Sequence, residues 1–171
     1  MRLLGFALVF ATFFFQSTTL SAQFYGTVSF GEGKFSLDGA STTENSYSLW
    51  GGHSFNERFS LELGFMSVDK LVITDGIDSI GLDFSSLHIG GRINLTTDDT
   101  LNTYLRFGQA FWETDFSGTI LNENIDDDEF YYGLGLSTSL SESSSVDFSY
   151  LHFDAGTANF SNLSLGVHFY F

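Results

Sequence analysis

The chain has 171 residues, with 6 Lys and Arg against 21 Asp and Glu for a net charge of -15, and it contains 21 Phe, 18 Gly and neither Cys nor Pro. This length suits one domain, and 43% hydrophobic with 18% aromatic residues excludes a disordered acidic tail. Six cations cannot build the basic surface that nucleic acid requires, and without Cys there is no disulfide framework, thiol nucleophile or thiolate metal site.

Behind Met1 and Arg2, residues 3–15 form an apolar run, followed by small and polar residues as far as Ala22. A membrane-spanning helix needs about 20 apolar residues. The shorter run reads as a secretory signal over 1–22, with cleavage near Ala22, although Leu20 departs from the usual small residue. An N-terminal anchor helix is the alternative, and the length argues against it. Residues 23–171 then form the mature domain.

From there helical periodicity is absent and apolar residues alternate at period two. Weaker strands fall near 24–30 and 47–55. Leu61, Leu63 and Phe65 alternate with Ser60, Glu62 and Gly64. Leu87, Ile89, Ile93 and Leu95 alternate with His88, Gly90, Arg92 and Asn94, and Leu101, Leu105 and Phe107 with Asn102, Tyr104 and Arg106. Tyr132, Leu134 and Leu136 alternate with Gly133, Gly135 and Ser137; a weaker strand follows near 146–153. Leu163, Leu165, Val167, Phe169 and Phe171 complete the series.

The pattern predicts eight antiparallel strands. Short turns at 56–58, 96–100 and 141–145 alternate with longer segments near 31–46, 68–83, 113–129 and 154–161, read here as loops. All turns therefore lie at one end and all loops at the other, as in outer-membrane barrels. A soluble up-and-down barrel of the lipocalin kind would also alternate. Its water-facing positions usually carry charge, whereas here they carry Gly, Ser and Tyr, which suit a narrow packed lumen. The apolar half then faces lipid, where only a closed barrel satisfies every backbone group. Phe24, Phe55, Phe59, Phe65, Phe111, Tyr150 and Phe169 fall where aromatic girdles belong. The expected fold is all-β: an eight-stranded antiparallel up-and-down transmembrane β-barrel.

Gly166, Phe169 and the terminal Phe171 resemble the assembly signal of outer-membrane barrels. The run from Phe55 to Phe65, with its Asn-containing turn and Ser60-Leu61-Glu62-Leu63-Gly64, resembles the turn and third strand of the OmpA-like barrels. Residues 104–108 resemble the fifth strand of that family and 147–154 the seventh. The chain is thus identified as similar to the OmpA-like and OmpX-like eight-stranded barrels, with the minimal OmpX size. The resemblance implies an exported outer-membrane protein inserted by the barrel assembly machinery.

On this register Glu62, Arg92, Arg106 and Asp147 point inward from different strands. Charges inside a membrane are costly unless paired, so the four predict a salt-bridged lumen network, which the resemblance supports for Glu62 and Arg106. A gate that re-pairs to conduct is the alternative. His53, His88, His152 and His168 are scattered; His152 near Asp154 and Ser161 gives no triad spacing, so no catalytic residue, metal site or cofactor is expected.

The four long segments hold 15 of the 21 acids, densest at Asp126, Asp127, Asp128 and Glu129. Hard oxygen ligands could hold divalent cations there, including those that bridge lipopolysaccharide phosphates. A solvated, repelling loop face is the plainer reading. The expectation overall is a monomeric, non-enzymatic surface barrel in contact with outer-membrane lipids and lipopolysaccharide. A porin-like channel and a lipid A-modifying enzyme are the alternatives.

Overall fold

A computed structural model describes residues 23–37, 40–75, 78–96, 101–117, 122–155 and 158–171. The expected signal segment lies outside the described residues. Eight strands follow in order: β1 (Gln23–Leu37), β2 (Ala40–Ser54), β3 (Phe59–Asp75), β4 (Asp78–Asn94), β5 (Leu101–Ser117), β6 (Asn122–Ser141), β7 (Ser144–Ala155) and β8 (Ala158–Tyr170). Each pairs antiparallel with its neighbours, and β8 returns to β1 to close the barrel.

The register fixes the barrel's proportions. One row runs from Phe24 through His53, Leu61, Gly91, Phe107, Tyr132, His152 and Ser161. It re-enters β1 at Lys34, a stagger of ten residues (34 − 24). For eight strands about 4.8 Å apart this stagger requires a tilt of roughly 40°. The interior is then wide enough for side chains and little else.

Period-two alternation sorts the residues as the sequence indicates. Leu49, Leu61, Leu105, Leu134, Phe148 and Leu165 are exposed on the outer wall, while Ser48, Glu62, Tyr104, Arg106, Ser149 and Ser164 are buried inside. From Leu87 on β4 to Leu95 just past its end, the outer apolar stretch rises about 20 Å at this tilt, near the ~25 Å apolar band of outer-membrane barrels. Phe24, Phe55, Phe59 and Phe169 ring the turn end, and Phe65, Phe111 and Tyr150 lie toward the other end.

The Asn56 turn forms for a local reason. Its Oδ1 accepts from the backbone N–H of Arg58 at 2.8 Å and of Phe59 at 2.9 Å, an Asx-type closure.

Two expectations require correction. The segments read as long loops are mostly strand: β1 and β2 run to Leu37 and Ala40, β3 and β4 to Asp75 and Asp78, and β5 and β6 to Ser117 and Asn122. Their polar outward residues concealed strands that continue past the apolar belt into water. The lumen is also not polar throughout. Its turn-side half is, whereas its far half holds Phe84, Phe153, Phe160, Trp112, Met66, Val68 and Leu151, with Phe35 packed against them. Most of the described Phe do face outward, but these four rings fill the interior.

Candidate functional site: the lumen network and the outer rim

The turn-side half of the lumen is built around the four charges expected there, and all four are buried: Glu62 at 1% exposure, Asp147 at 1%, Arg92 at 3% and Arg106 at 4%. Arg106 grips Glu62 in a two-pronged ion pair, Nε to Oε2 at 2.5 Å and Nη2 to Oε1 at 3.1 Å. The Tyr25 hydroxyl adds a third donor to Oε1 at 2.8 Å. The Arg106 guanidinium also lies 3.9 Å from the centre of the Trp50 ring, so its flat face is covered as well.

Arg92 and Asp147 do not form the second salt bridge of the expected network; they meet through Tyr104. The Tyr104 hydroxyl lies 2.8 Å from both carboxylate oxygens of Asp147. The ring of the same tyrosine carries the Arg92 guanidinium at 3.7 Å. Arg92 Nε donates to Asn94 Oδ1 at 3.1 Å, and Asn94 Nδ2 to the Glu57 carbonyl at 2.8 Å, which ties the network to the turn.

Tyr25, Trp50 and Tyr104 were missing from the sequence-based site, although the phase that turns Arg106 inward also turns Tyr104 inward. Glycines create their space. A β-carbon at Gly52 would overlap the Tyr25 ring, one at Gly64 the Trp50 indole, and one at Gly135 the Tyr104 ring. The small-beside-large packing inferred from composition is therefore literal here.

The far half of the lumen is filled by apolar packing. Phe84 stacks on Phe160 at 4.8 Å and on Phe153 at 6.2 Å, and Phe35 meets Phe84 edge-on at 4.8 Å. Between the two layers His88 shares a 2.8 Å hydrogen bond with the Ser86 hydroxyl and packs against Tyr131 and Trp50. His168 bonds Thr27 at 2.9 Å and stacks on Tyr25. His53 packs between Phe24 and Phe55.

His152 lies opposite Ser161, with Nε2 3.7 Å from Asp154 Oδ1. Its buried Nδ1 has no hydrogen-bond partner. A relay would need the serine on the nitrogen away from the carboxylate, so these residues do not form one.

The acidic cluster is not a loop. Asp126, Asp127, Asp128 and Glu129 lie on β6, opposite Glu113, Trp112, Phe111 and Ala110 of β5. Strand alternation sends Asp126 and Asp128 to the outer wall with Phe130, and Asp127 and Glu129 to the lumen side with Tyr131. The four carboxylates therefore cannot converge on one ion. Among the described residues no three His, Asp or Glu are arranged to hold a metal. Asp128 instead accepts from Gln109 Nε2 at 2.7 Å, and Glu113 accepts from the Ser85 hydroxyl at 3.1 Å.

A closed eight-stranded barrel with a lipid-facing apolar belt and a filled core matches the family model of the outer membrane protein beta-barrel domain over residues 5–171. The chain belongs to this outer-membrane barrel family. Its location in the outer membrane follows. No curated protein matches it.

Several solved structures share the fold of this outer-membrane barrel at low identity. Neisserial surface protein A is 15% identical with a TM-score of 0.76, covering 89% of this chain and all of its own. Ail, the attachment invasion locus protein of Yersinia pestis, is 15% identical with a TM-score of 0.68 over the same shares; it has also been solved with the heparin analogue sucrose octasulfate. The N-terminal barrel of Pseudomonas aeruginosa OprF is 14% identical with a TM-score of 0.61, covering 85% of this chain and 97% of its own.

Proposed function

We propose that this outer-membrane barrel is a plugged, non-conducting surface protein whose acidic hairpins meet cationic partners outside the cell. The supporting observation is the doubly filled lumen: a charged layer around Glu62 and Arg106 and, above it, the rings of Phe84, Phe153 and Phe160. Solute passage would have to undo both. The extended hairpins carry most of the acid, including Asp83, Glu113, Asp126 and Asp128 on their outer faces. They favour positively charged partners and repel polyanions, so the heparin-like ligand of Ail does not transfer to this chain.

In this reading residues 1–22 are the signal that exports the protein in a Gram-negative host. The Phe171 terminus is read by the assembly machinery. The finished barrel is a monomer among lipids and lipopolysaccharide, with neither a cofactor nor an enzymatic step. Planar-bilayer recording of the refolded protein tests the proposal. It expects no resolvable conductance steps; reproducible steps that change in Glu62→Ala or Arg106→Ala would replace it with the narrow-channel reading.

A further inference from the structure

In the turn-side half of the lumen Arg92 Nη1, His168 Nε2, the Ser145 hydroxyl and Asn102 Oδ1 are buried and make no hydrogen bond. Arg92, Ser145 and His168 are among the most deeply buried polar residues of the barrel, at 3%, 2% and 1% exposure. A buried guanidinium ordinarily lies against a carboxylate. Among the described residues Glu62 is paired with Arg106, and Arg92 has no ion pair; its Nε holds the neutral Asn94 amide oxygen at 3.1 Å. These groups belong to one circuit of contacts. Arg92 lies on the Tyr104 ring at 3.7 Å, the Tyr104 hydroxyl donates to Asp147 at 2.8 Å, and Ser145 stands two residues from Asp147 on the same face of β7. Ser145 is paired with His168 on β8, His168 stacks on Tyr25 at 4.4 Å, and the Tyr25 ring returns to Arg92 at 5.8 Å. The circuit runs round the lumen just inside its turn end, where Ser54, Asn94, Asn102 and Tyr170 are half-buried.

The orphaned groups are mostly donors. The guanidinium can only donate, and the serine hydroxyl is free to do so. The Thr27 hydroxyl meets His168 Nδ1 at 2.9 Å; with the threonine donating, Nε2 carries the ring hydrogen and is a third donor. Tyr104 covers one face of the guanidinium, so a ligand meets its edge, where charge-assisted hydrogen bonds form. We propose that this circuit is a binding site for one monovalent anion of the halide type, entering from the turn end and supplying the counter-charge that Arg92 lacks. Asn102 Oδ1, an acceptor, suits a water of the ion's hydration shell. Asp147 across the Tyr104 ring and Glu62 deeper in the lumen set the valence, because they repel a dianion twice as strongly as a monoanion. The site lies on the turn side of the Arg106 and Glu62 pair and does not depend on what the acidic hairpins bind.

The test uses bromide as the probe. Crystals of the refolded barrel grown in bromide should show an anomalous peak within hydrogen-bond distance of Arg92 Nη1. In phosphatidylcholine vesicles, urea titrations compare bromide with sulfate at constant ionic strength for the wild type, Arg92→Met and Ser145→Ala. The general effect of the salts on burial is common to all three, so the difference between variants isolates the site. Bromide at twice its dissociation constant should lower the wild-type unfolding constant about threefold relative to Arg92→Met. Ser145→Ala should lose part of that gain, and it carries the comparison if Arg92→Met does not refold. An equal salt response in the wild type and the variants, with no peak or with a peak at crystal concentration only, overturns the anion site and leaves water as the partner of these groups. A larger gain in sulfate than in bromide that Ser145→Ala reduces would overturn the monovalent assignment.

Discussion

Breaking the central ion pair from one side should be far costlier than removing it whole. Arg106→Met keeps an unbranched stem against Trp50 but leaves the Glu62 carboxylate, 1% exposed, with only the Tyr25 hydroxyl to solvate it. Two charge-assisted bonds disappear, at 2.5 and 3.1 Å. Stranding one member of a buried pair costs about 3–5 kcal/mol, which is roughly two to nearly four decades in the folding equilibrium. Glu62→Leu strands Arg106 in the same way and takes the acceptor from Tyr25. The double replacement removes both charges and leaves an apolar pair of similar volume, for which the cost falls to about 1–2 kcal/mol or less. Urea titration of the barrel refolded in lipid vesicles, read by the shift between folded and heated gel mobility, gives all three numbers. The coupling between the two sites should reach about 2 kcal/mol or more. Single changes that each cost under about 1 kcal/mol and simply add would show that the pair is not what holds the strands together.

Three further outcomes follow from the same geometry. Tyr104→Phe keeps the ring under Arg92 but strips Asp147 of its bridging donor, and should cost about 1–3 kcal/mol in the urea assay. Gly135→Val drives a side chain into the Tyr104 ring and should cost about 1–3 kcal/mol or prevent refolding, while Leu134→Val on the lipid side should cost under about 1.5 kcal/mol. Phe84→Ala opens the apolar plug and should lose about 3–5 kcal/mol, clearly more than Phe107→Ala on the outer wall; equal losses would contradict the placement of Phe84 in a packed interior.

Much of this barrel was legible because alternation at period two reports one fact reliably, the side of the wall on which a residue lies. It placed Glu62, Arg92, Arg106 and Asp147 inside and Phe59, Leu105 and Leu165 outside, as found. It could not show who pairs with whom, because partners such as Tyr104 and Asp147 are 43 residues apart and their meeting depends on the stagger of the barrel. It also failed where the outward environment changes from lipid to water. There both faces of a strand can be polar, so the acidic stretch of β6 read as loop. The apolar plug escaped notice for the converse reason: Phe84 and Phe160 lie in or beside those acidic segments, and only the closed register carries them to the lumen.

The proposed role requires one orientation of the barrel: turns inside, acidic hairpins outside, lipid between. Because the chain has no cysteine, single introduced thiols report that orientation directly in intact cells treated with a maleimide on a polymer too large to cross the outer membrane. Asp126→Cys on the outer face of β6 should be labelled in intact cells, and Glu57→Cys in the Asn56 turn only after the outer membrane is opened. Labelling of Glu57→Cys in intact cells, or protection of Asp126→Cys until permeabilisation, would contradict it.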